Sequence, residues 1–73
     1  MSADVVIHIN ESALDGLQAV LDELRALEGV EAVNPDPKHE HLVNVSFDSE
    51  IFHAKTLLGV TDKHGYHAQL IGL

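Results

Sequence analysis

Between Ala13 and Glu28, the residues Leu14, Leu17, Val20, Leu21, Leu24 and Leu27 recur at three- and four-residue spacing. An α-helix gathers that spacing into one broad apolar stripe. No helix buries such a stripe alone, so the remainder of a 73-residue chain must supply the opposing surface. The segments on either side say what that surface is. Val5, Ile7 and Ile9 alternate with Val6 and His8, and Val43, Val45 and Phe47 alternate with Leu42, Asn44 and Ser46. A period of two predicts strands over Val5–Ile9 and Leu42–Phe47. A shorter strand is predicted over Val30–Val33. A last one is predicted over Tyr66–Ile71, with Tyr66, Ala68 and Leu70 facing away from His67, Gln69 and Ile71.

Punctuation between these segments agrees. Asn10-Glu11-Ser12 offers helix-capping side chains, with Ser12 and Asp15 spaced close to a capping box. Gly29 stands where a left-handed helix end is needed. Asn34-Pro35-Asp36-Pro37 reads as a loop, and Asp48-Ser49-Glu50 turns the chain toward a second helix over His53–Lys63. That helix has a less regular apolar set (Ala54, Leu57, Leu58, with Val60 and Thr61), is weakened by Gly59 and is stopped by Gly65. Strand, helix, two strands, helix, strand predicts one α+β domain over residues 1–73, an antiparallel four-stranded sheet with both helices on one face. The covered face carries Val5-Ile7-Ile9, Val43-Val45-Phe47 and Ala68-Leu70. Val6, His8, Asn44, Ser46, His67 and Gln69 are left on a polar, solvent-facing side.

Charge narrows the partners. Twelve Asp and Glu against four Lys and Arg give a net charge of −8, which repels phosphate backbones and anionic lipid. Neither nucleic acid nor a membrane is expected as a partner. Cysteine is absent, which removes disulfides, thiolate zinc and iron–sulfur sites, and cysteine nucleophiles. That fits a reducing compartment. Met1-Ser2-Ala3-Asp4 has neither the basic region nor the apolar run of a signal peptide, and no stretch approaches the ~20 apolar residues of a membrane span. The expected location is cytoplasmic.

Three blocks carry a family resemblance: Gly29-Val30-Glu31-Ala32-Val33, Val43-Asn44-Val45-Ser46-Phe47-Asp48 and Gly65-Tyr66-His67-Ala68. At this spacing they resemble the heavy-metal-associated domain family, which includes bacterial copper chaperones and the N-terminal modules of metal-pumping ATPases. The resemblance covers nearly the whole chain and implies a ferredoxin-like β-α-β-β-α-β sandwich. Family members hold soft metals with Met-x-Cys-x-x-Cys ahead of the first helix. Counting back from Gly29, those three positions fall on Glu11, Ala13 and Gly16, none of which offers sulfur. The resemblance therefore implies the fold without the ligands, and Tyr66 carries over only as a residue flanking that loop.

Six histidines in so short a chain are the compositional anomaly that bears on chemistry. His39 and His41 form His-x-His around Glu40; on an extended segment both would project to one side and could chelate Zn(II), Cu(II) or Ni(II). His8 and His67 fall on the open sheet face, on first and last strands that the fold makes neighbours, and cross-strand partners lie close enough to share a cation. In each case ordinary solvent-facing histidines are the competing reading, and register is not legible from sequence. His53 is expected to open helix two. His64 is expected in its last turn, where the helix dipole favours an imidazolium; both are read as structural. A His64–His67 chelate across the glycine turn has nothing in the sequence to support it.

Asp22, Glu23 and Glu28 read as the solvated face of helix one. No Ser-His-Asp order stands out, no glycine-rich phosphate loop is present, and Arg25, the one arginine, sits within a helix rather than a loop. No enzymatic activity is expected. Three functions stay open: a metal-handling module using histidines for Zn(II) or Cu(II) in preference to Cu(I), a metal-free protein-interaction or regulatory adaptor that pairs with a partner or forms a homodimer, and a small-molecule sensor.

Overall fold

The β-branched run at the start of the chain forms a strand, β1 (Ser2–Ile9), and the leucine-rich segment forms a helix, α1 (Leu17–Ala26). They are followed by β2 (Val30–Pro35), β3 (Leu42–Asp48), α2 (Lys55–Lys63) and β4 (Ala68–Ile71). The computed structural model describes residues 1–10 and 15–71. The sheet runs β2-β3-β1-β4 and every pairing is antiparallel. This is the expected ferredoxin-like order, with the first and last strands side by side.

Boundaries differ from expectation for local reasons. β1 starts three residues early because Ser2, Ala3 and Asp4 pair with Asp48, Phe47 and Ser46 of β3, and Ser46 Oγ donates to Asp4 Oδ1 at 2.5 Å. β2 runs on to Pro35, which a strand at the sheet edge accommodates because proline's missing N–H need not face a neighbour. β4 begins at Ala68, after Tyr66 and His67. The expected Ser12–Asp15 box and Leu14 involve positions outside the described residues. Gly16 occupies the N-cap of α1 with φ 86°, and no side chain caps it. Gly29 adopts the expected positive φ, 94°, yet it lies two residues past the C-cap, Leu27. It is the third residue of a turn closed by the Val30 N–H to the Leu27 carbonyl at 3.2 Å, and its positive φ is the one that a type II turn takes at that position.

The two helices touch each other and cover the same sheet face, α1 packing on β2 and α2 on β4. Val5, Ile7 and Ile9 of β1 and Val43, Val45 and Phe47 of β3 are buried there against Val20, Leu21 and Leu24 of α1 and Leu57 and Val60 of α2. Each such side chain contributes about 1.5–3 kcal/mol by leaving water. Phe52, on the approach to α2, packs edge-on to Phe47 with ring centroids 5.7 Å apart. Tyr66 is buried in the same core. Among the described residues no helix is long and apolar enough to cross a membrane.

Candidate metal centre

Antiparallel order brings the C-terminal end of β1 together with the starts of β3 and β4. His8 lies opposite Leu42 on one side and Gln69 on the other. Past the regular ladder, the Ile9 N–H donates to the His41 carbonyl at 2.9 Å, and the Asn10 N–H to the His67 carbonyl at 2.8 Å. His64 caps the C-terminus of α2, which runs toward this same end. His8, His39, His41, His64 and His67 therefore gather at the end of the sheet where β1 finishes and α1 begins. Only His53 of the six belongs to the opposite end, where β3 gives way to α2.

The extended reading of His39–His41 is corrected by the structure. Asp36 Oδ1 accepts the backbone N–H groups of Lys38 and His39 at 2.8 and 3.2 Å, and the Leu42 N–H donates to the His39 carbonyl at 2.9 Å. The Asp36 carboxylate coils the segment into a turn, so the period-two geometry does not apply. His39 is exposed on that turn, whereas His41 is half-buried.

His41 is instead brought to His8. Their ring centroids lie 6.4 Å apart with the planes tilted 33°. Nδ1 of His41 is 3.2 Å from the Ile9 carbonyl oxygen, and Nδ1 of His8 is 2.9 Å from Asn10 Oδ1. His8, His39, Glu40 and His41 line an open cleft of about 510 Å³, together with Pro37, Lys38 and Leu42. The other expected pair, His8 with His67, is set diagonally, because the β1–β4 register puts Gln69 opposite His8. Among the described residues no three His, Asp or Glu side chains are grouped to hold a metal ion.

Sequence reasoning missed a second polar contact at this end. Glu23, read as part of a solvated helix face, reaches from α1 to α2. Its Oε1 is 2.9 Å from His64 Nε2, and its Oε2 accepts from Lys63 Nζ at 3.1 Å. The hydrogen bond from His64, then that from Lys63, holds the Glu23 carboxyl below its ordinary pKa. The available signal was positional: Glu23 lies beside buried Leu24, on the flank of the stripe that faces a neighbouring helix. Tyr66, expected to flank the loop before α1, does so. Its hydroxyl donates to the Asp15 carbonyl, and a Cβ built on Gly16 would lie 3.7 Å from that hydroxyl oxygen.

No family model matches the chain, and no curated protein matches it. Solved structures do. Oxidized MerP from Ralstonia metallidurans CH34 superposes with a TM-score of 0.80 at 20% identity, over 99% of this chain and 100% of that one. The N-terminal domain of a potential copper-translocating P-type ATPase from Bacillus subtilis, in its Cu(I)-loaded state, gives 0.83 at 20% identity over 99% and 90%. The apo HMA domain of the copper chaperone for superoxide dismutase gives 0.74 at 17% identity over 99% and 69%. At these identities the likeness is one of fold.

Proposed function

We propose that this chain, which has the fold of the heavy-metal-associated domains, is a non-catalytic metal-handling module that binds a borderline divalent cation, Zn(II) or Cu(II), through histidine. One observation carries the reading: all of the histidines but His53 collect at the end of the sheet that leads into α1. MerP and the ATPase and chaperone domains give the fold a metal context, since the ATPase domain is Cu(I)-loaded. Sulfur is missing from the positions that align with the family's ligands, and imidazole suits Zn(II) and Cu(II) better than it suits Cu(I). The net charge of −8 favours cations over anions. The lack of cysteine fits a cytoplasmic setting.

The test is titration of untagged protein with Zn(II), Cu(II) and Cu(I), following histidine ring signals by NMR. Saturable shifts with the first two ions are expected. Unchanged ring signals at stoichiometric metal would refute the reading.

A second reading, a protein-interaction adaptor that works through the open sheet face, is favoured by a shallow hollow of about 460 Å³ there. It is lined by Asp4, Val6, Asn44, Ser46 and Ile71, and Ile71 is 46% exposed. Sedimentation or pull-down that finds neither a second copy nor another protein would count against it.

A further inference from the structure

We propose that Nε2 of His8 and Nε2 of His41 are the two protein ligands of one borderline divalent cation, bound where the end of β1 meets the turn before β3. This inference rests on the metal-handling reading above and assigns that reading its atoms.

Tautomer chemistry is the first argument. A neutral imidazole has one N–H donor and one lone-pair acceptor. The Nδ1 of His8 faces Asn10 Oδ1 at 2.9 Å, and the Nδ1 of His41 faces the Ile9 carbonyl oxygen at 3.2 Å. The two contacting atoms are oxygens, which accept, so these contacts are hydrogen bonds in the tautomer that carries its proton on Nδ1. In that tautomer each Nε2 offers its lone pair to a cation. Metal-bound histidines are commonly arranged this way, the second ring nitrogen donating to a carbonyl or carboxylate that fixes the tautomer and orients the ring. Here the supporting acceptors are supplied by consecutive residues at the end of β1, Ile9 and Asn10.

Distance is the second. With metal–nitrogen bonds of about 2.0–2.1 Å, two imidazole centroids around one cation lie between roughly 5 Å apart for a tetrahedral angle and roughly 6.4 Å for a linear one. The observed separation, 6.4 Å, lies at the open limit of that range, and a tetrahedral pair would bring the centroids about an ångström closer. His41 belongs to a turn whose neighbour Leu42 is already held by the His39 carbonyl, and the cleft beside both rings is open to water for the remaining coordination positions. The hydrogen bond from the Ile9 N–H to the His41 carbonyl ties the end of β1, next to His8, to the turn that carries His41.

The experiment is zinc chloride titration of the full chain at pH 7.5, comparing the native protein with His8→Gln, His41→Gln, Asn10→Ala and His67→Gln, with long-range ¹⁵N–¹H spectra of the rings. Amide spectra establish that each variant keeps the native fold. The metal-free native spectrum is expected to show both rings protonated at Nδ1. His8→Gln and His41→Gln should each weaken zinc binding at least 10-fold, and Asn10→Ala by about 10-fold, as loss of an orienting partner does. His67→Gln should leave affinity within twofold. Zinc binding that survives both ligand substitutions, or that falls with His67→Gln instead, overturns the assignment while leaving the metal-handling reading standing. Nε2-protonated rings in the free protein overturn it as well. No binding by the native chain overturns both.

Discussion

Glu23 Oε1 and His64 Nε2 lie 2.9 Å apart, joining α1 to the end of α2 across 41 positions of sequence. With Lys63 on the other carboxylate oxygen, this is a cross-helix clasp at the rim of the core. Its acid dependence has a definite sign. A carboxyl whose folded pKa is depressed contributes stability that is fully present above its unfolded value, here 4.5, and is lost as pH falls through the folded value. Native protein should therefore be more stable than Glu23→Gln at pH 7, and the gap in urea midpoint should narrow as pH falls below 4.5. Parallel stability curves for the two proteins down to pH 3 would show that the clasp contributes nothing.

Three glycines should respond differently to alanine. At Gly29 the backbone is left-handed, φ 94°, and an added Cβ would come within 2.9 Å of Phe52 Cβ, so Gly29→Ala combines strain with a backbone-proximal clash. A cost at the upper end of about 1–3 kcal/mol is expected. Gly65 has φ 84° but nothing within 4 Å, and Gly65→Ala should cost about 1 kcal/mol. Gly59 lies in α2 with open space around it, and Gly59→Ala should stabilise by about 0.5–1 kcal/mol. Chemical denaturation of the three variants tests the ranking, and a stable Gly29→Ala would contradict the contact with Phe52.

Tyr66→Phe removes the hydroxyl that donates to the Asp15 carbonyl while keeping the buried ring. A loss of about 0.5–1.5 kcal/mol is expected. Faster amide exchange should be confined to the residues around Asp15 and the first turn of α1. Exchange that rises evenly over the whole chain would point to a general packing defect instead.

Leu57 is fully buried between the helices and the sheet, and Leu57→Ala should cost about 2–5 kcal/mol. The half-buried neighbour Leu58 should cost clearly less. In a domain this small the first substitution is expected to leave a visibly unfolded fraction by circular dichroism at 37 °C. Equal effects at the two positions would mean that α2 is rotated from its observed seating.

Periodicity made the core readable in advance. Val5, Ile7, Ile9, Val43, Val45 and Phe47 alternate because one side of a strand is covered, and every one of them is buried. The topology followed from the order of these segments. What escaped was set by contacts between residues distant in sequence. The partner of His8 depends on the offset of β1 against its neighbours, which no alternation encodes, and the sheet delivers His41 beside it and Gln69 opposite. The turn at His39–His41 depends on the Asp36 carboxylate folding back on two amides, which overrode the extended conformation that a His-x-His spacing suggests. Glu23 looked solvated because a helix flank is recognisable only once its neighbour is known.

Gly16, which by its spacing from Gly29 corresponds to the second cysteine position of the heavy-metal-associated motif, holds φ 86°. A left-handed backbone is costly for any residue with a Cβ. Putting a thiol back at this position would therefore meet resistance from the main chain even with room beside Tyr66 for the side chain. Building a sulfur-based centre here would require residue 16 to leave this left-handed conformation as well as Ala13 and Gly16 to be exchanged.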